Sequence, residues 1–270
     1  MRALLLLALL GCARRLPEPR EPVPAAPRVF GIAAVRLRVS DLAAARAFYG
    51  DFLGFPWRAD GTGAAVAINE RQRIELEAGP AGADGRLVRV ALAATTSESR
   101  TDPDGPAITC EAALPPATFP RPDAERIATH IAHAGVLVGG LGDALVFYRA
   151  LGFRETWRGS ADGKQLSWVN LRVPDGDEYL ELMLYEHRPP PEEMGGKHHI
   201  CLFTANVAYS VAVLEGRRGG YARPIEIKVG RNGKRQANLF DPDGTRVELM
   251  EPATADGRAV PPSPAPPPRP

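Results

Sequence analysis

The stretch VRLRVSDLAAARAFYGDFLGF occupies residues 35–55, and GVLVGGLGDALVFYRALGF occupies residues 135–153. Each reads as a strand, a turn, a helix carrying Phe-Tyr, and a Leu-Gly-Phe end. In the first copy Ser40-Asp41 caps the helix, and Leu42, Ala45, Phe48 and Phe52 form its apolar stripe. In the second copy Leu141, Ala144, Leu145, Tyr148 and Leu151 make that stripe. The glycine of each Leu-Gly-Phe is a natural helix stop. A second echo, TDPDG at 101–105 against FDPDG at 240–244, is a tight turn that launches a strand. Two echoes of this kind point to duplicated supersecondary units.

Outward from the second copy, three strand-like runs follow: FRETWRG, QLSWVNLRV and EYLELMLYE. The last alternates, with Leu180, Leu182 and Leu184 on one face and Tyr179, Glu181, Met183 and Tyr185 on the other. The order then recurs as HHICLFT, a helix near Asn206 to Glu215, PIEIKV, KRQANLF, a DPDG turn and RVELME. In that final strand Val247 and Leu249 face one way, Glu248 and Met250 the other. The pattern is β-α-β-β-β, twice.

Four residues in these two units carry chemistry: His133, Glu181, His199 and Glu248. They sit near strand starts and in late strands, in the order His, Glu, His, Glu, with intervals that differ by one residue. Two imidazoles and two carboxylates can hold one divalent cation with positions left open for substrate. The competing reading pairs Glu181 and Glu248 with Arg172 or Arg246. Both carboxylates lie in apolar strands where an unpaired charge is costly, and a shared cation removes both costs together. The remaining histidines, His130, His187 and His198, read as surface or satisfied core groups. Trp157, Trp168, Tyr179 and Phe203 read either as pocket walls or as core. Arg223, Lys228, Arg231, Lys234 and Arg235 read either as a receiver for an anionic substrate group or as a solvated strand-loop-strand.

The whole chain sets bounds. Its 270 residues allow one large domain or two smaller ones. Lys+Arg 33 against Asp+Glu 32 leaves no basic footprint for nucleic acid. MRALLLLALLGC (1–12) resembles a bacterial lipoprotein signal whose cysteine, Cys12, takes the lipid, which implies an extracytoplasmic, membrane-anchored protein. The alternative is a cytoplasmic enzyme with a misplaced start; the run Ala3 to Leu10 is too short to span a bilayer as a helix. Residues 13–28 read as a Pro-rich tether, and 254–270, ending PPSPAPPPRP, as an unstructured tail. Cys110 and Cys201 lie in strand-like stretches and read as buried thiols, with a disulfide between them as the alternative. Cys201, two residues past His199, faces the same side of its strand.

The FYxxxLGF-like segments, the histidine opening a first strand, the DPDGxxxE turn and ELM in both final strands resemble the vicinal oxygen chelate superfamily. That superfamily includes glyoxalase I, extradiol dioxygenases, fosfomycin-resistance transferases and bleomycin-resistance proteins. The resemblance covers residues 29 to 252. It implies an α+β fold of tandem βαβββ modules paired into half-barrels: an N-terminal pair over 29–115 with a shortened second module, and a C-terminal pair over 127–253. Aligned on the Phe-Tyr helices, His133 corresponds to Ala34, Glu181 to Glu75, His199 to Arg89 and Glu248 to Thr109. The N-terminal pair is therefore expected to be metal-free.

By this resemblance the C-terminal quartet binds one divalent ion (Zn, Ni, Co, Mn or Fe(II)) and a small-molecule substrate that chelates it through adjacent oxygens. The expected activity is that of a glyoxalase-like lyase or isomerase, with Glu248 as base and Glu181 as its partner. The alternatives are an extradiol-type ring-cleaving dioxygenase and a non-catalytic small-molecule binder. Asn238 stands where extradiol enzymes carry a tyrosine ahead of the DP turn. A homodimer is left open; beyond a lipid anchor, no membrane contact is expected.

Overall fold

The computed structural model describes residues 27–112, 119, 125–217 and 221–260. The expected signal with Cys12, nearly all of the tether and the last ten residues lie outside these. No helix among the described residues is long and apolar enough to cross a membrane.

The N-terminal half opens with β1 (Val29–Val39) and the helix α1 (Leu42–Ala45), which continues as a π-helical stretch over Arg46–Phe52. Asp41 is the N-cap, its side chain accepting from the Ala43 amide. Then come β2 (Trp57–Asp60), β3 (Gly63–Ala67), β4 (Arg73–Ala78), β5 (Leu87–Ala94), β6 (Glu98–Thr101) and β7 (Ala107–Ala112). The second module is shortened as expected, with three strands and no helix. The C-terminal half runs β8 (His130–Val138), α2 (Leu141–Ala150), β9 (Arg154–Gly159), β10 (Trp168–Arg172) and β11 (Tyr179–Leu184). It continues with β12 (His199–Phe203), α3 (Val207–Gly216), β13 (Ile227–Val229), β14 (Lys234–Phe240) and β15 (Arg246–Thr254).

Each half is one curled sheet. The strand order is β2-β3-β4-β1-β5-β7-β6 in the first and β13-β14-β15-β12-β8-β11-β10-β9 in the second. Within every module the first and last strands pair in parallel, while the two first strands of a half, β1 with β5 and β8 with β12, pair antiparallel. One continuous apolar core runs through both halves, taking Leu180, Leu182, Val247 and Leu249. Glu181, Glu248 and Met250 alternate onto the concave face. The paired half-barrels of the expected fold are what the chain adopts.

Two local details depart from expectation. Tyr49, left off the first helix stripe, is fully buried. The π-helical stretch explains it: the Leu53 amide reaches back five residues to the Phe48 carbonyl at 2.9 Å, and the wider turn brings Tyr49 inward. The chain also stays ordered past the expected boundary at 254. β15 ends at Thr254, and the Ala255 amide bonds to the Gly233 carbonyl at 2.7 Å. Cys110 and Cys201 are both free and buried, the expected thiols rather than the alternative disulfide. Both Leu-Gly-Phe stops hold, with Gly54 at φ +78° and Gly152 at φ +85°.

Candidate metal centre

Strand pairing converts distant sequence positions into neighbours. On β8, Gly135 is the partner of Glu181 on β11 and of His199 on β12; His133 is the partner of Tyr179 and Cys201. Cys201 in turn pairs with Glu248 on β15. All four expected residues therefore lie on adjacent strands of one concave face.

Three of them converge. His133 Nε2 and His199 Nε2 are 3.0 Å apart, and Glu181 Oε2 lies 3.3 Å from His199 Nε2 and 3.9 Å from His133 Nε2. His133, Glu181 and His199 form a group whose ligand atoms lie within 4.8 Å of one another. Atoms that share a metal at about 2.1 Å in adjacent positions stand about 3 Å apart, so the spacing suits one ion.

The protonation states suit it too. Burial pushes both imidazoles well below their ordinary value, so both are neutral. The His199 Nδ1–H donates to the Lys197 carbonyl at 2.7 Å, which leaves Nε2 as a lone pair aimed at the group. The His133 ring is stacked on Tyr179, centroids 4.4 Å apart, and its Nδ1 is buried with no hydrogen-bond partner among the described residues. With His199 protonated on Nδ1, the 3.0 Å contact is a hydrogen bond when His133 carries its proton on Nε2; with that proton moved to Nδ1, both Nε2 lone pairs and the carboxylate oxygen are free for one cation.

Glu248, the fourth expected ligand, lines the same cavity but stands outside this group. Its nearest ionic partner is Arg246, at 3.8 Å, which is the competing reading made at sequence level. Burial pushes its carboxyl up to about 7; Arg246 opposes the shift and Glu181 adds to it. Arg172 is exposed and takes no part.

The cavity above the group holds about 320 Å³. Its floor is His133, Glu181, Met183, Arg246 and Glu248; one wall is the stacked pair Trp157 and Trp168, with centroids 6.2 Å apart. The opposite wall is the β13–β14 hairpin, including Lys228, Arg231, Asn232 and Gln236. These walls come from the two edges of the eight-stranded sheet. Arg231 joins them, donating through Nη2 to the Ala161 carbonyl at 2.7 Å. The other aromatics divide differently. Phe203 packs with Ala132, Cys201 and Met250 in a small apolar cluster separate from the main core, and Tyr179 backs His133.

Gly135 is a determinant the sequence reading missed. A Cβ there would lie 1.9 Å from His199 Nδ1, so the imidazole occupies the space a side chain would need. A glycine inside an apolar strand is the signal that would have found it. His198 also departs from expectation: its ring is buried, neither nitrogen has a partner among the described residues, and burial, with Arg188, holds it down to about 4.

In the N-terminal half, guanidinium groups occupy the corresponding positions. Arg36 on β1 pairs with Glu75 on β4 and Arg89 on β5, as Gly135 does with Glu181 and His199. Arg89 donates to both Glu75, at 2.7 Å, and Glu111, while Arg36 and Arg73 reach Glu75 at 2.8 and 2.6 Å. Burial alone would raise the Glu75 carboxyl, but the guanidinium groups, Arg89 foremost, pull it down to about 2. A guanidinium fills this half where His199 stands in the other.

Residues 130–249 match the model of the Glyoxalase/Bleomycin resistance protein/Dioxygenase superfamily. They form a domain of that superfamily. Among solved structures, the chain is similar to a variant of homoprotocatechuate 2,3-dioxygenase from Brevibacterium fuscum, with TM-score 0.63 and 20% identity over 85% of this chain and 73% of that one. It is similar also to that enzyme's anaerobic complex with 3,4-dihydroxyphenylacetate, with TM-score 0.62 and 19% identity over 88% and 86% of the two chains. At such identities the likeness speaks for the fold. No curated protein sequence matches the chain. The superfamily domain contains all four expected residues, and the fold likeness extends across the N-terminal half.

Proposed function

We propose that the protein is an extradiol-type ring-cleaving dioxygenase that holds Fe(II) with His133, His199 and Glu181. The observation that carries this reading is the composition of the converged group: two neutral imidazoles and one carboxylate, with His133 and Glu181 lining an open cavity and His199 buried beside them. Two histidines and one carboxylate with free positions is the donor set of non-haem iron oxygenases. The likeness to dioxygenase structures points the same way. The glyoxalase-like reading made from the sequence needs the second carboxylate, which the structure leaves outside the group.

Bound Fe(II) would supply Lewis acidity toward two adjacent oxygens and electron exchange with O₂. The chain's own groups do the rest. Trp157 and Trp168 form a flat wall against which a single aromatic ring lies. The Lys197 carbonyl fixes the His199 tautomer, and Tyr179 fixes the plane of His133. Glu248 is the carboxylate left to accept a proton from the diol as it binds. Ring cleavage places both atoms of O₂ in the product and breaks one carbon–carbon bond, so no external reductant is needed.

The test is oxygen uptake by protein loaded anaerobically with Fe(II). One O₂ consumed per catechol, abolished in His133→Ala and His199→Ala, is the expected result. Binding of catechol without oxygen uptake would leave a sequestering protein instead. A second reading keeps support from one feature: Glu181 and Glu248 line one cavity, so a glyoxalase-like isomerase could use both. It predicts turnover of 2-oxoaldehyde–thiol adducts with no oxygen consumed.

A further inference from the structure

We infer that a second ligand site lies where the two halves meet, and that it takes an uncharged, flat aromatic molecule of about two or three rings. A cavity of about 580 Å³ opens there, larger than the one of about 320 Å³ above the triad. The first helix and its π-helical continuation supply one side through Ala44, Ala47, Phe48 and Phe52. The C-terminal half supplies the other through Tyr221 and Phe240. None of these residues belongs to the metal centre, so the inference stands apart from the dioxygenase reading.

The wall is aromatic and preformed. Phe52 and Tyr221 stack with centroids 4.8 Å apart, and Phe48 packs against them at 5.9 and 6.1 Å. The Phe240 amide donates to the Tyr221 phenol oxygen at 3.1 Å, which pins that ring to β14. A ligand that meets a wall already in place has little ordering cost to overcome. The room beside the rings comes from alanines. Aligned on the Phe-Tyr pairs, Ala44 and Ala47 correspond to Asp143 and Val146 of α2. The first copy of the repeat carries methyl groups where the second carries larger side chains, and both positions border the cavity.

Charged groups also line the cavity, and they cancel: Arg217 and Arg223 against Asp51 and Asp241. Arg217 donates to the carbonyls of Phe52, at 3.3 Å, and Glu125, at 2.5 Å. Asp241 accepts from the Tyr49 phenol and from the amides of Asp243 and Thr245. Arg223 lies over the Phe240 ring at 5.0 Å, and both it and Asp51 are exposed. One exposed charge of each sign gives neither an anion nor a cation the advantage. Selection is left to shape and apolar area, and a charged ligand would lose hydration without gaining a dedicated partner. The volume falls within the roughly 300–1,000 Å³ of small-molecule sites.

The test titrates the full chain with two fluorescent probes, neutral N-phenyl-1-naphthylamine and anionic 1-anilinonaphthalene-8-sulfonate. Wild type is expected to bind the neutral probe at one saturable site, about 10-fold or more tighter than the sulfonate. Ala47→Trp fills the cavity from an exposed helix position and should weaken the neutral probe about 10-fold or more. Arg223→Gln should change its affinity by less than about twofold. His133→Ala alters the metal centre alone and should leave it unchanged. Because both halves supply walls, saturating probe should also raise the urea midpoint of wild type, a readout that needs no variant. Circular dichroism checks each fold, with Ala44→Leu as the milder filling variant. No saturable binding, an unmoved midpoint, or binding that survives both filling variants would overturn the inference. So would loss of binding in His133→Ala, or a preference for the sulfonate that Arg223→Gln removes.

Discussion

The phenol of Tyr148, on α2 in the C-terminal half, donates a 2.6 Å hydrogen bond to Asp102, in the DPDG turn of the N-terminal half. Tyr49 makes the reciprocal bond to Asp241 at 3.0 Å. The second aspartates complete the exchange: Asp104 accepts from the Gly139 amide at 3.0 Å and Asp243 from the Ser40 amide at 2.8 Å. Each turn thus grips the start of the helix that belongs to the other half. Tyr148→Phe or Tyr49→Phe should each cost about 1–3 kcal/mol, because a buried carboxylate loses its donor. Urea denaturation would read this, and the two losses should add in the double variant.

A pH signature accompanies one of these bonds. Burial pushes the Asp241 carboxyl up to about 6, against the pull of the Thr245 amide and Tyr49. Its folded value lies above its unfolded one, so the folded state holds the proton more tightly. Asp241 is therefore neutral in both states at the lowest pH, and it costs stability increasingly as pH rises from about 4 to 6, to about 2–3 kcal/mol. Asp241→Asn should flatten the urea midpoint across that window, with Tyr49 turning from donor to acceptor. A variant that tracks wild type from pH 4 to 7 would refute the assignment.

Metal affinity should divide the two carboxylates. Equilibrium dialysis should show His133→Ala and Glu181→Gln losing about 10- to 100-fold or more in affinity for Fe(II) or Zn(II), while Glu248→Gln keeps near wild-type binding. The opposite division would make β15, not β11, the source of the carboxylate ligand.

Gly135→Ala should behave like a ligand deletion. The added methyl carbon would overlap His199 Nδ1, so either the imidazole turns away or β8 and β12 separate. Loss of metal binding with the far-ultraviolet circular dichroism retained is the expected pair of results. Unchanged affinity would show that the ring has room the structure does not indicate.

Sequence legibility followed locality. The strand-helix-strand order, both Leu-Gly-Phe stops and the faces of β11 and β15 are set by periodicity within a few residues, and all were readable. His133, Glu181 and His199 were readable because each occupies a defined place in a repeated unit. The orientation of Glu248 was not, since its approach to Arg246 depends on side-chain geometry two residues away and on burial from four strands. Both halves of each Tyr–Asp grip were noticed as motifs, yet nothing in periodicity says that Tyr49 meets Asp241 rather than the nearer Asp102 turn. Among the five cations from 223 to 235, only packing distinguishes the two at the cavity.

Arg89 has a consequence for how the N-terminal half is held together. A positive charge bonded covalently to the chain cannot be chelated, exchanged for a competitor or lost to dilution. The N-terminal half therefore carries its own internal counter-charge, whatever the C-terminal cup holds.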